Sequence, residues 1–140
     1  MTFAKSTIRD GVGVISISNP PVNALSPGVA DSVHALLTAM LADEAVRAIV
    51  LHAEGGSLAG ADISVLEHPW PADTRTIRDL FPVIEQGGKP VVAFLERYAL
   101  GGGLELAMAC HFRVAQRDTV LAQPEVLIGI PPGAGGAQRL

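Results

Sequence analysis

Between Thr7 and Ser18 the apolar residues Ile8, Val12, Val14, Ile15 and Ile17 partly alternate with other residues around Asp10-Gly11. Such β-branched runs about an Asp-Gly pair predict a hairpin, whose tight turn needs residues that tolerate positive φ. Asn19-Pro20-Pro21 ends the second strand, because proline has no N–H to give to a ladder. Ser26-Pro27 reads as a helix start, a capping hydroxyl followed by proline at the first position. Val29, Val33, Leu36, Leu37, Met40 and Leu41 then recur at helical spacing, so one apolar face runs to Ala42. Ala45 to His52 is a continuous apolar run, as expected of a strand covered on both faces.

Glu54 to Ile63 reads as a small-residue loop leaving the carboxyl end of that strand, with Asp62 placed to cap a following helix. Asp73 or Thr74 caps the next helix, which carries Ile77, Leu80, Phe81 and Ile84; Pro82 kinks it or marks a new start. Val91 to Leu95 is a second buried strand, and it leads into Ala99-Leu-Gly-Gly-Gly-Leu-Glu-Leu-Ala-Met-Ala-Cys110. A helix starting after these glycines would be buried on most sides. Phe112 to Gln116 reads as a third strand, Val120 to Ala122 as a short extended piece, and Ala137 to Leu140 as the opening of a further helix. Alternating strands and helices argue an α/β protein with buried parallel strands.

Glu105 is the odd residue of its helix. A carboxylate set among Leu104, Leu106, Ala107 and Met108 is costly to bury unless it is paired, and such settings tune carboxyl groups for acid–base chemistry. The unpaired N–H groups of a helix start lie within one turn of it, and glycine lets another molecule's oxygen approach them. Glu125 is a second candidate, flanked by Val126, Leu127, Ile128 and Ile130. Each acid has a plainer explanation: Glu105 as a helix-start acid favoured by the dipole, Glu125 as a partner of Arg113 or Arg139.

Composition narrows the field. At 140 residues and net charge −4, with Lys and Arg scattered, the chain is one domain or part of one, with no expected nucleic-acid or membrane-surface partner. No apolar run reaches the roughly 20 residues that span a bilayer, and no basic-then-apolar leader opens the chain, so a cytoplasmic location is expected. Cys110 is the single cysteine, best read as a small buried residue, and the four histidines lack ligand spacing, so no metal site is expected. The glycine clusters do not continue into Lys and then Ser or Thr, as a P-loop would. Leu106 and Gln138 stand where a dinucleotide fingerprint needs its third glycine.

The strings PPVNALS (20–26), LAGADI (58–63), ALGGGLELAMAC (99–110) and QPEVLIGIPPGAGGAQRL (123–140) resemble the enoyl-CoA hydratase/isomerase (crotonase) superfamily. GGGLELAMACHFRVA is similar to the N-terminal hydratase domain of multifunctional fatty-acid β-oxidation enzymes. The resemblance implies a crotonase-like (ClpP/crotonase) spiral of repeated β-β-α units, incomplete at the C-terminus, with residues 1–140 forming the first part of the domain. It implies that the N–H groups of Ala61 and Gly102 form an oxyanion hole for a thioester carbonyl, with Ala59, Gly60, Asp62, Ile63, Gly101 and Gly103 lining the substrate. Glu105 and Glu125 match the two catalytic carboxylates, which implies addition of water to a 2-enoyl-CoA. Double-bond isomerisation, thioester hydrolysis and an inactive fragment are the alternatives. The coenzyme A thioester is substrate and no cofactor is implied. A homo-oligomer, or a downstream NAD-binding dehydrogenase portion in a longer parent chain, is the implied partner. Apolar surface near Ile128, Ile130 and Leu140 is expected to be exposed.

Overall fold

The computed structural model describes residues 2–140, the side chains of Val65 and Leu66 apart. Strands β1 (Ala4–Arg9) and β2 (Val12–Ile17) form the expected hairpin, closed by Asp10 and Gly11 at φ 52° and 81°. Two positive φ values give the turn the twist that matches its strands. Helix α1 (Pro27–Ala42) starts where the Ser-Pro pair placed it, although the Ser26 side chain makes no capping bond. Its C-terminal end is capped instead by Lys89, whose Nζ donates to Met40 O at 2.9 Å and Asp43 O at 2.6 Å.

Each later long strand turns into a short one before the chain continues. β3 (Ala48–Ala53) passes through a 3-10 turn, Glu54–Gly56, into β4 (Ser57–Leu58). β5 (Val91–Leu95) leads to β6 (Tyr98–Leu100) and then to helix α3 (Gly102–Ala109); α2 (Leu80–Gln86) precedes β5. β7 (Phe112–Ala115) leads to β8 (Val120–Ala122), a 3-10 segment at Pro124–Ile128 and the single turn α4 (Gly136–Arg139). The long strands make a five-stranded sheet in the order β1-β2-β3-β5-β7, parallel from β2 onwards, and the short ones a parallel three-stranded sheet, β4-β6-β8. This is a mixed α/β spiral of β-β-α units, the expected fold class.

Some expectations need correction. The apolar run ending in β3 is not covered equally on both faces: Ile49, Leu51 and Ala53 are buried while Ala48, Val50 and His52 are half-buried. Ile15, Ile17, Ile49, Leu51, Val91 and Leu95 join Val29, Val33, Leu37, Leu80, Ile84 and Leu106 in one core on the helix side of the sheet. Neither Asp73 nor Thr74 caps the helix before β5. Thr76 does so through a capping box with Asp79, ahead of a 3-10 turn at Ile77–Asp79, and Pro82 falls in the first turn of α2, where its missing N–H costs nothing. Thr76 N donates to Asp79 Oδ2 at 2.7 Å, and this bond above all holds the Asp79 carboxyl below its ordinary range. Among the described residues no helix is long and apolar enough to cross a membrane.

Asn23 ties the first unit to the second. It is 2% exposed, in the left-handed region at φ 54°; its Oδ1 accepts from Asn19 N at 2.7 Å, and its Nδ2 donates to Glu54 O and Ser57 O, both at 2.8 Å. Asn tolerates that backbone better than most residues. Asn23→Ala leaves these groups unpaired in the interior, so unfolding in urea should show a loss of about 3 kcal/mol.

Cys110 gives a second expectation. Burial pushes its thiol from 9.0 up to about 12, Arg113 pulling the other way more weakly. Above pH 9 the unfolded chain releases this proton while the folded chain keeps it, so stability falls as pH rises towards 12. The slope reaches at most about 1.4 kcal/mol per pH unit. Urea midpoints measured from pH 8 to 11 should fall more steeply for the wild-type chain than for Cys110→Ala.

Candidate active site

The three-stranded sheet brings the sequence motifs together. Its register pairs Leu58 with Ala99 and Leu100 with Ala122, so Ala59–Ala61, Gly101–Gly103 and Gln123–Glu125 all leave the carboxyl ends of adjacent parallel strands. Ligands of α/β proteins bind at such ends. Two backbone bonds extend the pairing beyond the strands: Leu25 N donates to Gly60 O at 3.0 Å, and Gly101 N to Ala122 O at 2.9 Å.

The glycines there answer to close approach. Gly101 sits at φ 51°, ψ −126°, a conformation that side chains disfavour, and starts α3 with no side-chain cap. A Cβ on Gly103 would fall on the carbonyl oxygen of Leu58 and 2.8 Å from that of Ala59. With no side chains in the way, the two loops touch backbone to backbone: an ideal Cβ on Gly102 lies 3.4 Å from Ala61 N, and one on Gly60 lies 3.1 Å from Gly102 N. Ala61 N and Gly102 N make no hydrogen bond among the described residues. Ala61 is exposed, while Gly101, Gly102 and Gly103 are buried.

Glu105 lies one turn into α3 and is 2% exposed. Its Oε1 accepts two backbone bonds, from Ala134 N at 2.7 Å and Gly136 N at 2.8 Å. The expected setting is therefore confirmed, but the partners come from a loop some thirty positions later. Gly136 brings its backbone close to both side chains, since a Cβ there would lie 3.0 Å from Glu105 Oε1 and 2.5 Å from Gln123 Oε1.

Glu125 is half-buried, and its surroundings differ from those expected. Val126, Leu127 and Ile128 do not shield it, being 75%, 84% and 53% exposed. The carboxyl instead packs on the glycine turn: Oε1 lies 2.8 Å from where a Gly101 Cβ would stand, and Oε2 is buried with no protein partner. Neither arginine pairs with it. Arg113 Nη1 donates to the carbonyls of Ala107, Met108 and Cys110 at the end of α3, at 3.3, 3.4 and 2.7 Å, and Arg139 binds Glu85.

Asp62 does what its position suggests, its Oδ1 accepting from Ser64 N at 3.0 Å to cap the 3-10 turn Ile63–Leu66. Ile63 is 68% exposed at the start of that turn. The exposed apolar surface expected at Ile128, Ile130 and Leu140 is present. Sequence reasoning missed Gln123, whose Nε2 donates to Gly101 O at 3.3 Å between the two acids. It also missed the N–H groups of Ala134 and Gly136, which no residue type announces.

Residues 7–140 match the enoyl-CoA hydratase/isomerase family. The chain is 44% identical over 134 residues to a peroxisomal bifunctional enzyme of Danio rerio, covering 95% of this chain and 18% of that protein. It is 42% identical over 135 residues to a probable enoyl-CoA hydratase of Bacillus subtilis (strain 168), covering 92% of this chain and 52% of that one. The crystal structure of an enoyl-CoA hydratase from Thermoplasma volcanium GSS1 superposes with a TM-score of 0.86 at 34% identity, covering 97% of this chain and 57% of the other. The chain thus spans about half the length of these hydratase relatives and about a fifth of the bifunctional one. The match over nearly all of its length, together with this fold, places the chain in the enoyl-CoA hydratase/isomerase family.

Proposed function

We propose that this chain carries the hydratase centre of fatty-acid β-oxidation, adding water across the C2–C3 double bond of a 2-enoyl-CoA. The observation that carries this reading is the pair of acids at one glycine turn: Glu105 fixed through Oε1 by two N–H groups, and Glu125 with Oε2 buried and unpaired. Isomerisation can proceed on one carboxylate that moves a proton between carbons. Two carboxylates suit water addition, which needs one group to orient water and another to exchange a proton with carbon.

In this reading the thioester carbonyl oxygen accepts from Ala61 N and Gly102 N, the adjacent backbone donors left free by the protein. The water oxygen bonds to C3 while a carboxylate takes one of its protons. The C2–C3 π pair moves towards the carbonyl oxygen as an enolate, and C2 then receives a proton from a carboxyl group. Donors already aimed at the growing negative charge are typically worth about 3 to 4 kcal/mol each. Because one Glu105 oxygen is occupied, its carboxyl plane is fixed and its second oxygen is the one that meets water.

Hydration is read by loss of the conjugated enoyl-thioester absorbance with crotonyl-CoA as substrate. Glu105→Gln and Glu125→Gln should each lower kcat by about 10² to 10⁴-fold, the usual contribution of a positioned acid or base. Their far-ultraviolet circular dichroism should match the wild-type chain. Release of free CoA, or movement of a 3-enoyl double bond without hydration, would assign the same donors to a sister reaction instead.

A further inference from the structure

The proposed hydration makes Glu105 depend on Ala134 and Gly136, so whatever holds that turn controls the acid. The turn is gripped from α2. Glu85 Oε1 accepts from Arg139 Nη2 at 2.6 Å and from Arg139 Nε at 3.2 Å. The same guanidinium lies 5.0 Å from the Phe81 ring centroid, and its Nη1 donates to Ala134 O at 3.3 Å. Ala134 is therefore held on both sides, its carbonyl by Arg139 and its N–H by Glu105. Between them stands Gly135 at φ 91°, where any Cβ would collide with Arg139 Nη1.

We infer that the Glu85–Arg139 pair is a positioning latch for Glu105: it fixes the Ala134–Gly136 turn whose two N–H groups orient the Glu105 carboxyl. Its contribution to stability is small. The side chains are 42% and 27% exposed, and pairs of that kind contribute about 0 to 1 kcal/mol. Its contribution to geometry is larger, because a planar guanidinium can serve a carboxylate, an aromatic face and a carbonyl at once, which an ammonium cannot. A displacement of about 1 Å at a catalytic group can cost about 100-fold in rate.

The inference rests on the hydratase reading for its kinetic consequence only; amide hydrogen exchange, read by NMR without substrate, tests the latch itself. In Arg139→Gln the Gly136 and Ala134 amides should exchange about tenfold faster or more, while the α1 amides keep their wild-type protection. Glu85→Gln should show the same pattern more weakly, and Arg139→Lys should recover part of it. The reversed pair, Glu85→Arg with Arg139→Glu, restores opposite charges but leaves no donor for Ala134 O, so it should not restore protection. Where the wild-type chain hydrates crotonyl-CoA, Arg139→Gln should lower kcat about 10 to 100-fold with KM within about twofold.

Unchanged exchange at Gly136 in Arg139→Gln overturns the latch, whatever the activity. So does a loss of protection that spreads equally through α1, which would make Arg139 a general stabiliser, or full recovery in the reversed pair, which would reduce the contact to charge pairing. A wild-type chain that binds acyl-CoA without hydrating it counts against the proposed reaction and leaves the exchange result to decide the latch.

Discussion

The register of three very short parallel strands decides where everything reactive stands. Leu58 beside Ala99 and Leu100 beside Ala122 bring the ends of β4, β6 and β8 to one edge, and each end releases one loop of the site. A slip of one residue would exchange the faces of a strand and carry its loop away from the others. So short a sheet cannot hold register by itself. It is held by the long strands feeding it, since β3, β5 and β7 are parallel neighbours in the larger sheet and each passes its alignment through a brief turn. Asn23 secures the first of those turns by binding Glu54 O and Ser57 O. The core that Ile49, Leu51, Val91 and Leu95 build with the helices therefore sets the position of peptide groups that never enter it.

Burying Glu105 adds a second constraint. An apolar helix offers a carboxylate no partner, so donors must come from elsewhere in the chain. Ala134 and Gly136 supply them, which obliges the segment after the Pro124–Ile128 turn to return across α3. Before that return begins, Gln123 and Glu125 already lie against Gly101. One buried carboxyl thus binds the last stretch of the chain where apolar cover is thin: Val126 and Leu127 are exposed, while Gly129 N donates to Val126 O and Ile130 N to Glu125 O beside them.

What the sequence made legible follows from how each feature is encoded. The hairpin at Asp10-Gly11, helix α1 and the buried α3 were readable because periodicity and turn chemistry repeat over many residues. β4 and β6 were not, because two or three residues carry no period, and Ser57–Leu58 looks like the rest of its loop. The family motifs pointed to Glu105 and Glu125, and both lie against the Gly101 turn, Glu125 through its carboxyl and Glu105 through its N–H to Gly101 O. The apolar residues that flank Glu125 in sequence leave it uncovered, and its carboxyl packs on the Gly101 turn instead, a contact between residues far apart in the chain. The cap falls at Thr76 and not at Asp73 or Thr74 because these three capping types compete equally within Asp73-Thr74-Arg75-Thr76 until Asp79 completes the capping box.

The donors were the least legible of all, and the reason is general. A backbone N–H has no residue type, so the groups of Ala134 and Gly136 that fix Glu105 leave only an indirect trace, the small residues that let them be approached, and Ala61 and Gly102 are marked only by the resemblance of their loops to family motifs. Small residues in a sequence are ambiguous between flexibility and access. Here the distances decide for access: a methyl on Gly103 or Gly136 would strike a carbonyl or a side-chain oxygen that is already in place. Arg139 occupies the corresponding space at Gly135, so a side chain fills from outside what a Cβ would otherwise fill from within. Gly55, Gly88 and Gly129 face open space, whereas Gly60, Gly101, Gly102, Gly103 and Gly136, the glycines gathered at the site, are points of close contact.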